Sequence, residues 1–162
     1  MYKNGVILGS LILLLDQITK MVILKFLGSS QIAVLPFFNL VLVWNRGVSF
    51  GMFSDQGHYT PLFLSIISLM IIGMLIVWAM NSTDKWVTTA ICVIIAGALG
   101  NVIDRIKHGA VVDFLDFHAF GWHYPAFNIA DSAIVLGIAF VLFDSIFLEA
   151  KRNGSQSNET KR

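Results

Sequence analysis

The stretch Pro61–Met80, PLFLSIISLMIIGMLIVWAM, is twenty residues long and contains no charged side chain. A helix needs about 20 mostly apolar residues to cross the hydrocarbon core of a bilayer, so this stretch predicts a transmembrane helix. Three further apolar windows, at residues 6–26, 87–103 and 128–148, are also long enough to span. The sequence therefore predicts an integral membrane protein, mainly α-helical, with four transmembrane helices in a single membrane-embedded domain over residues 1–162.

The composition agrees with this fold class. Hydrophobic residues make up 56% of the chain without counting glycine, against about 45–50% with glycine included in soluble domains. Charged residues make up only 13%, and they cluster in the short segments between the apolar windows. Because the net charge of +1 gives no broad basic surface, a nucleic-acid partner is not expected.

The two longer connections differ in character. Residues 27–60 contain Ile32, Val34 and Leu35, followed by the run Leu40–Val43, and such β-branched and aliphatic residues favour short strands. We therefore expect a small β-rich extracytoplasmic segment between helices 1 and 2. Residues 104–127 predict a longer loop rich in aromatic side chains, which favour the headgroup level of the membrane.

An even number of spans places both termini on one side of the membrane. Six basic residues fall on that side, against five on the other side or at its helix ends. Since basic residues are more frequent on the cytoplasmic side, we expect both termini in the cytoplasm, with residues 150–162 as a flexible cytoplasmic tail.

Ionisable residues inside a span mark functional sites by default, because a charge costs roughly 2.5–3.5 kcal/mol at hydrocarbon depth on insertion scales. Asp16 and Lys20 are four residues apart in the first span and so lie on one helix face, where they can form an ion pair. This pair either anchors the helix end or helps to position a substrate. Asp16 itself is not expected to be catalytic, because Lys20 would keep it ionised.

Two other polar groups flank the spans. Asn45-Arg46-Gly47 opens a glycine-punctuated stretch that continues through Ser49-Phe50-Gly51, and it predicts a tight turn that is either a plain surface turn or part of a site. At the end of the third span, Asn101, Asp104 and Arg105 recur at helical spacing. These three predict a polar site, with an Asp104–Arg105 structural pair at the membrane edge as the alternative.

The most informative acids are Asp113 and Asp131. Asp113 lies among apolar residues in the loop predicted after the third span, and Asp131 lies in the first turn of the fourth, three residues after a possible capping Asn128. Two carboxylates held close together in such surroundings cannot both ionise, so one keeps a proton and the other acts as a base. This arrangement hydrolyses peptide bonds in aspartic proteases. The four histidines show no metal-binding spacing, so no metal and no cofactor are expected.

Five motifs in this order resemble the bacterial lipoprotein signal peptidase (signal peptidase II) family over nearly the whole chain. They are Asp16-Gln17-x-Thr19-Lys20, Asn45-Arg46-Gly47 through Phe50-Gly51, Gly97 through Asn101 with Asp104-Arg105, Val111-Val112-Asp113-Phe114, and Phe127-Asn128-x-Ala130-Asp131.

The resemblance implies an aspartyl peptidase of the bacterial inner membrane, with its active site near the periplasmic face. Its substrate would be a prolipoprotein whose cysteine carries diacylglycerol, cut on the N-terminal side of that cysteine. Asp113 and Asp131 would be the catalytic pair, supported by Asp16, Lys20, Asn45, Arg46, Gly47, Asn101, Asp104, Arg105 and Asn128. Membrane lipids and the inhibitor globomycin are implied as binding partners, and a monomer would suffice for the chemistry.

Two other functions remain open from the residues alone. A small membrane transporter or proton-relay subunit would use Asp16, Asp104 and Asp131 as relay groups, but it would leave Asp113 without an evident role. A noncatalytic membrane scaffold would use the acids only as helix anchors.

Overall fold

The computed structural model describes residues 2–28, 30–47 and 59–148. Its long helices are α1 (Lys3–Phe26), α2 (Thr60–Asn81), α3 (Lys85–His108) and α4 (Ile129–Phe143), and a π-helical turn, Asp144–Leu148, extends α4. Four helices are long and apolar enough to cross a membrane, which confirms the predicted fold class. Ser49, Phe50 and Gly51 of the predicted turn and the predicted tail at residues 150–162 lie outside the described residues.

The ends of α3 differ from the predicted span. The Asp84 carboxylate caps the first turn by accepting the backbone N–H groups of Trp86 and Val87, and Gly109 ends the helix in the left-handed conformation at φ 67°. The helix therefore runs one turn beyond the predicted end at residue 103. Asp104 and Arg105 consequently belong to the helix and not to the following loop.

A four-stranded antiparallel sheet lies beside the bundle. Its strands are β1 (Ile32–Leu35), β2 (Phe38–Asn45), β3 (Val111–Ala119) and β4 (Trp122–His123), in that spatial order. The first two confirm the β-rich segment between helices 1 and 2. The prediction of a loop after the third span was wrong, because the apolar residues of β3 pair with β2 and complete the sheet.

Helix α3 is the centre of the bundle and packs against α1, α2 and α4. Glycines permit these close approaches: a Cβ at Gly97 would collide with the backbone oxygen of Ala130 on α4, and one at Gly9 would press on Cys92 from α1. The sheet is attached through a small apolar core of Ile23, Leu27 and Phe114. This core places β3, and with it Asp113, at the C-terminal end of α1.

Candidate active site

Asp113 is buried in β3 between two amide side chains. Nδ2 of Asn45 donates to its Oδ2 at 2.9 Å, and Nδ2 of Asn128 donates to its Oδ1 at 2.7 Å. Burial raises the pKa of Asp113 to about 6; the two amide hydrogen bonds act against this rise, and the nearby charge of Asp131 adds to it. The carboxyl group therefore keeps its proton to a higher pH than an ordinary aspartate does.

Asp131 occupies the first turn of α4. Its backbone N–H donates to Oδ1 of Asn128 at 2.9 Å, and its Oδ2 accepts the backbone N–H of Asn128 at 3.3 Å. This is the reciprocal capping box that begins the helix. Its Oδ1 accepts Nδ2 of Asn101 at 2.7 Å. The same carboxylate thus caps its helix and contacts α3, so capping and a role in the site are compatible.

Asn128 connects the two aspartates. Its side chain is completely buried, and Nδ2 lies within hydrogen-bonding distance of Asp113, of Oδ1 of Asn101 at 3.2 Å and of the Val112 carbonyl at 3.3 Å. Its backbone N–H and its Oδ1 both bond to Asp131. One residue therefore sets the relative positions of both carboxyl groups.

A buried ion-pair cluster lies next to this site. Nζ of Lys20 is 2.9 Å from Oδ2 of Asp16 and 2.7 Å from Oδ2 of Asp104, and it donates to Oδ1 of Asn101 at 3.2 Å. The predicted Asp16–Lys20 pair is confirmed. Asp104 forms its short ion pair with Lys20 of α1, and it interacts with Arg105 electrostatically.

The cluster also holds backbone from two other elements. Oδ1 of Asp16 accepts the N–H of Ala130 at 2.9 Å, and Oδ2 of Asp104 accepts the N–H of Val112 at 3.2 Å. These bonds attach the start of α4 and the start of β3 to the same charged centre. Since Asp131 follows Ala130 and Asp113 follows Val112, the cluster positions both candidate catalytic residues.

A comparison with known protein families covers most of the chain. The family model described as signal peptidase (SPase) II matches residues 8–147. The chain belongs to the signal peptidase II family.

Named relatives and solved structures extend this match. Lipoprotein signal peptidases are 45% identical over 147 residues in Thermodesulfovibrio yellowstonii (90% of this chain, 96% of the relative) and 44% identical over 140 residues in Paraburkholderia phymatum (84% and 83%). A bacterial membrane enzyme solved at 1.9 Å resolution superposes with a TM-score of 0.80 at 30% identity, covering 90% of this chain and 94% of that one. The chain is therefore a membrane-embedded peptidase, and the prediction of a signal peptidase II is confirmed.

The two predicted arginines of this signal peptidase II, Arg105 and Arg46, differ in their burial and surroundings. Arg105 is half-buried and lies within electrostatic range of Asp131, Asp113 and Asp104, and its Nε is buried without a hydrogen-bond partner among the described residues. Arg46 is exposed at the end of β2. It lines a cavity of about 250 Å³ with Trp44, His108 and Ala110.

Gly47 acts through Asn45. Its backbone N–H donates to Oδ1 of Asn45 at 2.9 Å, which leaves Nδ2 of Asn45 directed at Asp113. Gly47 has φ 119°, a conformation that favours glycine, and a Cβ there would collide with Leu64 of α2. The turn at residues 45–47 therefore contacts the candidate site through Asn45.

One supporting residue was missed from the sequence. Nε2 of Gln17 donates to Oδ2 of Asp16 at 3.2 Å and to Oδ1 of Asp104 at 3.1 Å. Its place inside the Asp16–Lys20 motif was the available signal, but its partner Asp104 lies 87 residues later. Among the described residues, no group of three or more His, Cys, Asp or Glu is arranged to hold a metal ion.

Proposed function

We propose that this member of the signal peptidase II family is an aspartic endopeptidase whose catalytic residues are Asp113 and Asp131. One observation carries the proposal: the buried Asn128 is hydrogen-bonded to both carboxyl groups. Two acids that share one neutral amide residue, and whose charges interact, are suited to sharing a proton.

The division of labour follows from the surroundings of each acid. Asp113, with its pKa raised to about 6 by burial and by the charge of Asp131, is the acid, and Asp131 is the base. Asp131 takes a proton from a water molecule, whose oxygen attacks the peptide carbonyl carbon while Asp113 protonates the carbonyl oxygen. When the tetrahedral intermediate collapses, Asp131 gives its newly acquired proton to the leaving amine, Asp113 takes back a proton from a hydroxyl group of the intermediate, and the carbon–nitrogen bond breaks.

The substrate is a prolipoprotein whose cysteine already carries diacylglycerol, and the cut falls on the N-terminal side of that cysteine. The relatives named lipoprotein signal peptidase support this substrate class. The acids lie between spanning helices and a sheet, a position from which they can reach a cysteine whose lipid chains remain in the bilayer.

The supporting residues divide into two groups. Lys20, Asp16, Asp104, Asn101 and Asn45 hold the two acids in place through the bonds described above. Arg105, whose buried Nε has no hydrogen-bond partner among the described residues, is the candidate for binding a carbonyl oxygen of the substrate backbone. Arg46, which is exposed at the end of β2, is a candidate for contacting substrate or lipid.

The orientation belongs to the same proposal. Both termini are cytoplasmic, and the two acids lie near the periplasmic face of the bacterial inner membrane, at the end of α1 opposite Lys3. The excess of basic residues on the side of the termini supports this topology. We also propose that the enzyme is monomeric, contacts membrane lipids and is inhibited by globomycin.

The test uses purified protein in detergent, incubated with a diacylated precursor and with its unlipidated counterpart. Asp113→Asn and Asp131→Asn should each abolish release of the signal peptide, because each removes an ionisable group and little volume. The matched control is Asp116→Asn on the same strand, whose carboxylate bonds to Asn39 and His123. This control should retain cleavage close to that of the wild type.

Thermal unfolding of all four proteins shows whether each variant is folded. Full processing by a folded Asp113→Asn or Asp131→Asn enzyme would reject the catalytic pair, and equal processing of both precursors would reject the requirement for lipid. The proton-relay alternative is disfavoured because Asp16 and Asp104, two of its three relay groups, are held by Lys20.

A further inference from the structure

An apolar groove lies between α1 and α2. Both helices pack along α3, but within the described residues they make almost no contact with each other, apart from the Tyr2 hydroxyl, which donates to the Met80 carbonyl at 2.9 Å. The gap has a volume of about 330 Å³, and none of the described residues that line it is charged. Cys92, Ala96 and Leu99 of α3 form its floor.

The dimensions of the groove suit one hydrocarbon chain. Along α1 and the residue before it, the lining residues run from Tyr2 to Leu13, twelve residues that span about 17 Å along a helix. One leaflet occupies about half of a hydrocarbon core roughly 30 Å thick, so the groove is about as long as an acyl chain within one leaflet.

The groove is separate from the proposed active site. In a helix with 3.6 residues per turn, Leu99 on the groove floor and Asn101 beside Asp131 point about 160° apart. The two sites thus lie on opposite faces of α3. The groove also lies toward the end of the bundle where α1 begins, whereas the two acids lie toward the other end, so the occupant of the groove is not the scissile segment of the substrate.

Basic residues lie at the open end of the groove. Lys3 follows Tyr2 at the start of α1, and Lys85 begins α3 just after the end of α2; both are exposed. Nζ of Lys85 lies 5.3 Å from the ring centroid of Trp86, an aromatic residue suited to the headgroup level. The one nearby carboxylate in the connection, Asp84, is engaged in capping α3. Lysines near one end of an apolar groove can bind the phosphate group of a lipid whose acyl chain lies in the groove.

We propose that this groove binds one anionic phospholipid, with an acyl chain between α1 and α2 and its phosphate at Lys3 and Lys85. The lipid fills the gap that separates the two helices and thereby stabilises the N-terminal end of the bundle. The site is independent of the proposed catalytic function, because it shares no residue with it.

The test is lipid binding to the delipidated full-length protein in detergent, measured by native mass spectrometry and by the shift in Tm. The probes are phosphatidylglycerol, phosphatidylcholine with the same acyl chains, and oleate. Phosphatidylglycerol should bind with one molecule per protein and raise Tm more than either of the others. Lys3→Gln with Lys85→Gln should weaken its binding about thirtyfold, since each lysine near an anionic headgroup contributes about a fivefold attraction.

Matched variants test the position of the chain. Ser10→Phe fills the groove from α1 and should abolish the bound lipid, whereas Leu11→Phe, on an exposed part of the same helix outside the groove lining, should not. Lys25→Gln, at the other end of α1, is the control for charge. Binding that survives Ser10→Phe, equal binding of phosphatidylcholine, tighter binding of oleate, or a dimer that covers the groove would each overturn the proposal.

Discussion

Replacement of Lys20 by methionine tests whether the buried charged cluster holds the fold and the site together. Methionine keeps most of the volume of the lysine side chain but removes its ammonium group. Both carboxylates at Asp16 and Asp104 then lose their cation while the side chains involved stay at most 3% exposed. The expected result is a large loss of stability together with loss of cleavage.

The expected loss of stability in Lys20→Met follows from the number of groups that Lys20 contacts. Removing one member of a buried ion pair costs about 3–5 kcal/mol because the other charge stays buried and uncompensated. Lys20 serves two carboxylates and Oδ1 of Asn101, so the upper end of this range applies. Since a folded domain is stable by about 5–15 kcal/mol, Lys20→Met should remove a third or more of the stability.

The assay is equilibrium unfolding in mixed micelles, followed by tryptophan fluorescence. The matched control is Lys25→Met, because Lys25 is exposed near the end of the same helix and should change stability by no more than about 0.5 kcal/mol. A third variant combines Lys20→Met with Asp16→Asn and Asp104→Asn. It removes the stranded charges but keeps oxygen acceptors for the backbone N–H groups of Ala130 and Val112, and it should recover at least half of the loss.

Two results would refute this reasoning. A loss below about 1 kcal/mol in Lys20→Met would show that the ammonium group compensates little buried charge. A triple variant no more stable than the single one would show that the loss arises from packing and not from the stranded carboxylates.

Three further predictions concern stability and rate. The folded state keeps a proton on Asp113 up to about pH 6, and this protonation contributes about 3 kcal/mol to the unfolding free energy. The contribution is complete below pH 4 and is lost as the pH rises through 6. Asp113→Asn should abolish this dependence of the unfolding free energy on pH, and an unchanged dependence would contradict the assignment. Gly97→Ala should lower both Tm and the cleavage rate, because the added Cβ collides with the α4 backbone. Gly73→Ala is the control: its Cβ meets nothing within 4 Å, so Tm and cleavage should stay unchanged or Tm should rise. Equal effects of the two substitutions would argue against close packing as the cause. Asn128→Ala should reduce kcat about ten- to a hundredfold, because it leaves the buried Asp113 carboxyl group without a hydrogen-bond partner and removes the cap from the backbone N–H of Asp131. The control Asn39→Ala removes an amide bond to a different aspartate and should leave kcat unchanged; similar kcat values for the two variants would remove Asn128 from the site.

The sequence alone determines the four spans and the pair of acids. A spanning helix depends on the length and composition of one continuous segment, such as Pro61–Met80, so it is encoded locally. The ion pair between Asp16 and Lys20 is also local, because helical spacing alone places both on one face. The proposed chemistry of Asp113 and Asp131 follows from their residue type, and the family resemblance supplies the assignment.

Only the tertiary structure decided how the site is assembled. Asp113 lies in a strand because β3 finds its partner in β2, more than 60 residues earlier, and the same register brings Asn45 to its carboxyl group. Lys20 bridges to Asp104 because the glycines of the bundle let α1 and α3 approach closely. Such contacts depend on two distant segments meeting, and hydrophobic periodicity carries information about only one segment at a time. Local patterns therefore determine the elements and their chemistry, whereas packing decides which polar groups meet.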